Sequence, residues 1–124
     1  MATLRVEGDE LVVGIEGFGA KVLALGSEIR LPKSAVVDVR GGAPELMRRG
    51  FWLRAFGASL PNVRIGYFWR KNDGLSFVDV RHLDHRHDVV AIDLRGTRLK
   101  HVYVEPSTER AADVAERVRR ALAT

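Results

Sequence analysis

Cysteine is absent from this chain. Its absence excludes a disulfide framework, thiolate metal ligation and thiol catalysis, so packing alone must stabilise the fold. Long apolar runs are also lacking, because charges interrupt every apolar stretch well before membrane-spanning length. The first eight residues have neither the basic start nor the continuous apolar segment of a signal peptide. We therefore expect a cytoplasmic protein without a transmembrane segment.

The sequence signatures of common catalytic sites are missing as well. No serine lies in a Gly-x-Ser-x-Gly elbow, and the chain has neither a glycine-rich phosphate loop nor a His-Glu-x-x-His motif. The pair Gly17 and Gly19 lacks the third glycine of a dinucleotide-binding fingerprint. We predict a protein that is not an enzyme and that uses no cofactor and no metal.

Length and composition indicate one folded domain. The 124 residues fit a single compact unit, and no stretch is long or polar enough to link two units. The apolar share of 46% can form an interior, and 29% of charged residues can solvate the exterior. We predict one domain over residues 1–124.

Short strands dominate the first hundred residues. Apolar residues alternate with polar ones on either side of Gly8 and Asp9, which favours a hairpin. Asn72, Asp73 and Gly74 favour a second hairpin turn, and residues 95–98 a third. Strands are predicted from residue 3 to residue 105, with segments near 3–6, 11–15, 29–31, 36–39, 63–70, 75–81, 89–94 and 100–105.

Three segments fit this pattern less well. Residues 17–26 suit a short helix slightly better than a strand, and residues 44–49 suit one or two helical turns. Residues 50–62 show no sustained period and contain Gly57, Pro61 and Asn62, so we predict a long loop there. Loops of this length in compact domains are often functional.

After Pro106 the apolar period changes from two to 3.6. One helix is predicted at about 107–123, with Asp113–Arg117 and Glu116–Arg120 as favourable pairs. Its apolar stripe must pack against the strands, and the stripe consists of Ala111, Val114, Ala115, Val118 and Leu122. The predicted fold class is mainly β with one C-terminal helix.

The sequence resembles the small bacterial pleckstrin-homology-like domain proteins, many of which have no known function. The likeness lies in residues 10–15, 29–39, 60–63 and 77–81, which are short and mostly apolar. It implies a barrel of two near-orthogonal antiparallel sheets capped by the C-terminal helix. Eukaryotic lipid-binding members carry a basic cluster in the first hairpin. Residues 7–10 are acidic here, which argues against phosphoinositide binding.

The excess positive charge lies in the middle of the chain. Cations and rings there can hold anions and anchor an interface, and the candidate binding residues are Arg48, Arg49, Trp52, Arg54, Arg64, Arg70 and Lys71. The alternative is that Phe51 and Trp52 pack over the core while the arginines are solvated.

A histidine-rich turn follows the predicted strand at residues 75–81. His82, His85 and His87 lie close to two aspartates and could ligate a metal or titrate near neutral pH. No standard ligand spacing is matched, and Arg81 and Arg86 disfavour a bound cation. We interpret the segment as a solvated turn.

The function expected from the sequence is binding without catalysis. The leading hypothesis is contact with an unknown protein partner or with another copy of the chain. The alternative is peripheral attachment to anionic membrane lipid, which would place the protein at the membrane surface. Binding of single-stranded nucleic acid by stacking is a weaker alternative, and nucleic acid is not the expected partner.

Overall fold

A computed structural model describes residues 2–15, 28–42, 52–60, 63–70, 74–80, 88–106 and 109–123, and only the backbone of 52–60, 63, 64 and 70. Within these ranges nine strands form two sheets, and one α-helix follows them. The prediction of a mainly β fold with a single C-terminal helix is therefore confirmed.

The smaller sheet has three antiparallel strands in sequence order. The turn at Gly8 and Asp9 joins the first two strands, as predicted, and pairing runs from Glu7–Glu10 to Ala2–Ile15. The charged residues of this sheet lie on its outer face, whereas the alternate apolar residues are buried. The strands are β1 (Ala2–Glu7), β2 (Glu10–Ile15) and β3 (Glu28–Pro32).

The larger sheet has six strands in the order β4-β8-β9-β7-β6-β5. A short 3-10 turn, Lys33–Ala35, leads from the smaller sheet into its edge strand β4. The strands are β4 (Val36–Gly41), β5 (Trp52–Leu60), β6 (Val63–Arg70), β7 (Gly74–Val80), β8 (Val90–Leu94) and β9 (Leu99–Val104).

Both hairpins predicted for the second half of the chain are present, as β6–β7 and β8–β9. The structure adds a pairing that hairpins alone do not produce. Strands β7 and β9 are parallel neighbours, with Phe77 opposite Val102. The larger sheet is therefore mixed, and it departs here from the purely antiparallel sheets that the family resemblance implies.

The prediction of a long loop over residues 50–62 is wrong. Residues Trp52–Leu60 form β5, the longest strand described, which pairs with β6 from Trp52–Arg70 to Leu60–Val63. The register shifts between Arg54 and Phe56. Such a bulge offsets the alternation of side chains, which explains why the sequence shows no period of two in this segment.

The main core lies between the two sheets and the helix α1 (Ala111–Leu122). Both sheets contribute fully buried residues, for example Leu11 and Val13 from the smaller and Phe77 and Ile92 from the larger. The helix contributes the predicted stripe, of which Leu122 is only partly buried. One face of each element thus packs into a single interior, as the apolar periods require.

The opposite face of the larger sheet is also buried over part of its area. A second cluster there consists of Phe68, Val78, Val80, Val89, Ala91 and Tyr103. Strands β6, β7, β8 and β9 are therefore apolar on both faces near their middle. This explains the near-continuous apolar runs in these strands, which differ from the alternation expected for a one-sided sheet.

Helix α1 begins at Ala111, four residues later than predicted. Residues 105 and 106 instead continue from β9 beside the start of β1, because the Ala2 N–H donates to the Glu105 carbonyl at 2.9 Å and Ala2 bridges to Pro106. The Glu116–Arg120 pair forms as predicted. Arg117 instead contacts Glu109 at 3.1 Å and the Leu4 carbonyl at 3.3 Å. The predicted helical segments at 17–26 and 44–49 lie outside the described residues.

Candidate interaction surface

The turn between β8 and β9 lies next to the start of β7 at one end of the larger sheet. The β6–β7 pairing ends at Arg70–Gly74, and residues 95–98 connect β8 to β9. Because β7 and β9 are parallel neighbours, both strands begin at the same end of the sheet. The start of β7 and the turn at residues 95–98 are therefore adjacent, although about twenty residues separate them in the sequence.

The turn at residues 95–98 carries positive charge that no carboxylate neutralises in the described part of the chain. Arg95, Arg98 and the following Lys100 are exposed, and no ion pair involves them among the described residues. The Lys100 ammonium donates to the Thr97 carbonyl, at 2.9 Å. We call Arg95, Arg98 and Lys100 the basic turn. Arg40 and Arg117, by contrast, both contact carboxylates.

Lys100 lies where the β7–β9 register shifts, between the pairs Leu75–Leu99 and Ser76–His101. Its aliphatic stem packs over Gly74, where an added Cβ would lie 2.8 Å from the Lys100 Cγ. Gly74 also has a φ of 77°, which favours glycine. Glycine at this position therefore allows the Lys100 stem to pack closely against the start of β7.

An apolar strip crosses the sheet beside the basic turn. Trp69 pairs with Leu75, and Leu75 pairs with Leu99. Alternation places all three on the face that carries Tyr67 and the main core. Leu75 and Leu99 are half-buried, whereas Trp69 is 42% exposed. A tryptophan so exposed near cations that have no ion pair among the described residues is a typical composition for an interface.

An acidic turn lies at the same end of the molecule, on the smaller sheet. It comprises Glu7, Asp9 and Glu10. The Lys33 N–H donates to the Asp9 carbonyl at 2.7 Å, and the Arg95 N–H donates to the Ala35 carbonyl at 2.9 Å. The acidic turn, the 3-10 turn and the basic turn are thus consecutive neighbours across this end.

Ion pairs on the outer face of the smaller sheet lower the pKa of Glu7 and of Glu28. The hydrogen bond from Arg5 lowers the pKa of Glu7, with the nearby Arg30 adding to the effect. The smaller sheet and the turn between β1 and β2 together contain two arginines and four carboxylates, so negative charge is in excess there. Asp9 has no ion pair within the described ranges. We call the acidic turn, the basic turn and the apolar strip together the end surface.

The candidate residues predicted from the sequence do not all fall on this surface. Trp52 pairs with Arg70 in the β5–β6 register, which places both backbone positions at the end surface. Arg54 lies two positions further along β5, opposite Phe68. Arg64 lies near the other end of β6, six residues and about 20 Å from Arg70. Arg48, Arg49 and Lys71 lie outside the described residues, so the predicted set stays a prediction.

Sequence reasoning did not select Arg95, Arg98 or Lys100. Their signal was present, because the hairpin turn containing Arg95 and Arg98 was predicted correctly. The parallel pairing of β7 with β9 could not be inferred from the sequence, and it is this pairing that places the turn near Trp69. A cationic turn can be identified as part of a binding surface only when the residues next to it in the folded structure are known.

A second polar cluster lies on the outer face of the larger sheet. Arg40 on β4 donates to the Asp93 carboxylate from Nε at 2.9 Å and from Nη2 at 3.0 Å. His101 Nδ1 lies 2.9 Å from Asp93 Oδ1, and its ring stacks on Tyr103 with 5.8 Å between centroids. Burial raises the pKa of Asp93, but the hydrogen bonds from Arg40 and His101 outweigh it and leave the pKa lowered. The cluster fastens edge strand β4 to β8 and β9.

Ser76 lies opposite His101 in the β7–β9 register, so the cluster has the composition of a Ser-His-Asp triad. Its geometry differs from that of a triad. Ser76 is fully buried, and its hydroxyl has no hydrogen-bond partner within the described ranges. Activation of a serine requires a hydrogen bond to the histidine and access for a substrate. This cluster therefore serves structure rather than nucleophilic attack.

Edge strand β4 borders an open groove of about 250 Å³ beside the end of α1. The Asp38 carboxylate accepts a hydrogen bond from the Val39 N–H at 2.8 Å, which occupies a backbone donor of this edge. The register with β8 also shifts between Val36 and Asp38. Both features disfavour the addition of a further strand.

Two other predictions concern metal and membrane. The residues that the structure describes contain no cluster of three potential metal ligands, and His82, His85 and His87 lie outside them. No described helix has the length and apolar character needed to cross a bilayer.

Comparison with protein-family models, with curated proteins and with solved structures finds no match to this chain. Its function is therefore argued from its own surface.

Proposed function

We propose that this chain is a noncatalytic binding domain that contacts a protein through the end surface. The observation that carries the proposal is the juxtaposition of exposed Trp69 with three cations that lack carboxylate partners in the described chain. Aromatic and arginine side chains are enriched at protein interfaces and often dominate their binding energy. A pleckstrin-homology-like identity remains a proposal alongside it.

The acidic turn separates this proposal from its main alternative. An anionic bilayer that approaches the end surface meets the basic turn, but it also meets the carboxylates of Glu7, Asp9 and Glu10. These repel anionic headgroups and offset the attraction, which is about 1 kcal/mol per cation near such a surface. The same argument applies to the phosphates of single-stranded nucleic acid. A protein partner can match both signs, and for this reason we favour it.

Site-specific crosslinking tests the proposal. A photoreactive phenylalanine analogue replaces Trp69 in the full chain, and a second variant carries it in place of Arg110 at the start of α1. We expect a crosslink to a protein from position 69, lost in an Arg95→Glu/Arg98→Glu background, and none from position 110.

Vesicles and an oligonucleotide provide the opposing outcomes. We expect no binding at near-physiological salt to vesicles containing phosphatidylserine or to a mixed-sequence single-stranded oligonucleotide. Binding to either one that is lost on the Arg95→Glu/Arg98→Glu change, together with no protein crosslink from position 69, would overturn the proposal.

A further inference from the structure

We propose that the end surface is an interface between two copies of this chain, arranged about a twofold axis. This inference rests on the proposed function and specifies its partner.

Opposite charges occupy opposite sides of the end surface. The acidic turn belongs to the smaller sheet and the basic turn to the larger sheet, with the 3-10 turn linking them through backbone hydrogen bonds of 2.7 and 2.9 Å. Glu7 and Glu10 are partly compensated by Arg5 and Arg30, whereas the basic turn has no carboxylate partner in the described part of the chain. The surface is therefore dipolar.

Apolar residues lie beside the basic turn. Trp69, Leu75 and Leu99 are on the inner face of the larger sheet, next to the strand ends that carry this turn. Val6, the last inward residue of β1, is half-buried against the same core. Apolar residues bordered by charged ones are typical of a protein interface.

A dipolar surface of this kind is complementary to itself. A twofold axis that lies in the interface, between the acidic and basic turns, places each basic turn opposite the acidic turn of the other copy. Self-complementarity of one patch is the property that a twofold interface requires.

One end of the domain is large enough to form an interface of the usual size. A standard interface buries about 800 Å² on each partner. That is about an eighth of the 6904 Å² accessible surface of the chain.

Charge-swapped variants test the proposal. In Arg95→Glu/Arg98→Glu both sides of the end surface become acidic, and in Asp9→Lys/Glu10→Lys both sides become basic. Each variant alone places like charges opposite each other, so we expect the dimer Kd to rise at least about 100-fold. An equimolar mixture of the two variants restores opposite charges at both contacts, so we expect it to form a heterodimer.

The measurement is solution mass by light scattering and sedimentation equilibrium on the full chain, at total concentrations of about 1 to 100 µM. The wild type should have twice the monomer mass of 13.8 kDa, each charge-swapped variant the monomer mass, and their mixture again twice that mass. Arg110→Glu/Arg117→Glu is the control, because it makes the same charge change as the first variant but on α1 and the residue before it, away from the end surface. It should remain dimeric, and circular dichroism verifies that every variant is folded.

Several outcomes would overturn the dimer. They are a monomeric wild type at the highest concentration, a dimer that both charge-swapped variants retain, or a mixture that stays monomeric. A crosslink from position 69 to a different protein, with a monomeric wild type, would leave the proposed function standing and remove only this inference.

Discussion

Gly41→Ala tests how the helix packs against the larger sheet. An ideal Cβ at Gly41 would lie 2.8 Å from the Cα of Ala112 and 3.0 Å from its backbone nitrogen, and ordinary van der Waals contact begins at 3.4 Å. The obstacle is backbone, which cannot rotate away as a side chain can. The start of α1 would have to move by about 0.6 Å, and with it the buried Ala111 and Val114.

The expected cost follows from two opposing effects. Overpacking of this kind costs about 1–3 kcal/mol. Alanine restricts the unfolded chain more than glycine does, which returns about 0.4–1 kcal/mol. We expect a net loss of up to about 2.6 kcal/mol, which lowers Tm by up to about 10 °C for a domain of this size.

Gly14→Ala provides the matched comparison. An added Cβ there would meet the Thr3 hydroxyl oxygen at 2.6 Å, and this atom belongs to an exposed side chain that can rotate. We expect this variant to change Tm much less than Gly41→Ala does. The assay is urea and thermal unfolding followed by circular dichroism, with amide hydrogen exchange to locate the loss in α1. Equal stability of the two variants would refute the idea that the backbone of Ala112 leaves no room for a Cβ at residue 41.

Three further variants probe other contacts. Asp93→Asn should cost about 1–3 kcal/mol because it weakens the hydrogen bonds from Arg40 and His101. The folded pKa of Asp93 lies below its ordinary value, so its contribution is present above about pH 4 and is lost as the pH falls further. Urea titrations at several pH values should show the gap to wild type narrowing in acid, and a gap independent of pH would contradict this reasoning. Val118→Ala removes a side chain that is 1% exposed in the main core and should cost about 2 kcal/mol by urea unfolding, whereas no change would mean that α1 is not docked there. Arg120→Ala removes a highly exposed ion pair and should leave Tm within about 1 °C of wild type, and a larger drop would show that the pair matters more than its exposure suggests.

The helix and the hairpins could be predicted because their signals are local. Ala111, Val114, Ala115 and Val118 recur at the period of a helix face, and all four are buried. The turn at Gly8 and Asp9 follows from residues that favour tight turns, and strands of alternating pattern flank it. Such signals depend on a few neighbouring residues and need no knowledge of the rest of the fold.

Strand β5 shows why a local signal can fail. Its bulge between Arg54 and Phe56 interrupts the alternation of side chains, and Gly57 weakens the intrinsic preference for a strand. Pairing with β6 along its length holds the segment extended in spite of this. Hydrogen bonds to a neighbouring strand are a tertiary property, so the sequence pattern alone predicted a loop.

The sequence by itself determined that this chain is mainly β, where most of its hairpins turn and which helix face is apolar. It also showed that residues 7, 9 and 10 are acidic and that the turn at residues 95–98 carries two arginines. Only the tertiary structure decided which of these groups are neighbours. The parallel pairing of β7 with β9 places the basic turn beside Trp69, and the backbone bonds of Lys33 and Arg95 place it next to the acidic turn. Pairing between strands distant in sequence is set by the packing of the whole core, which is why a surface built from several turns could not be predicted from any one of them.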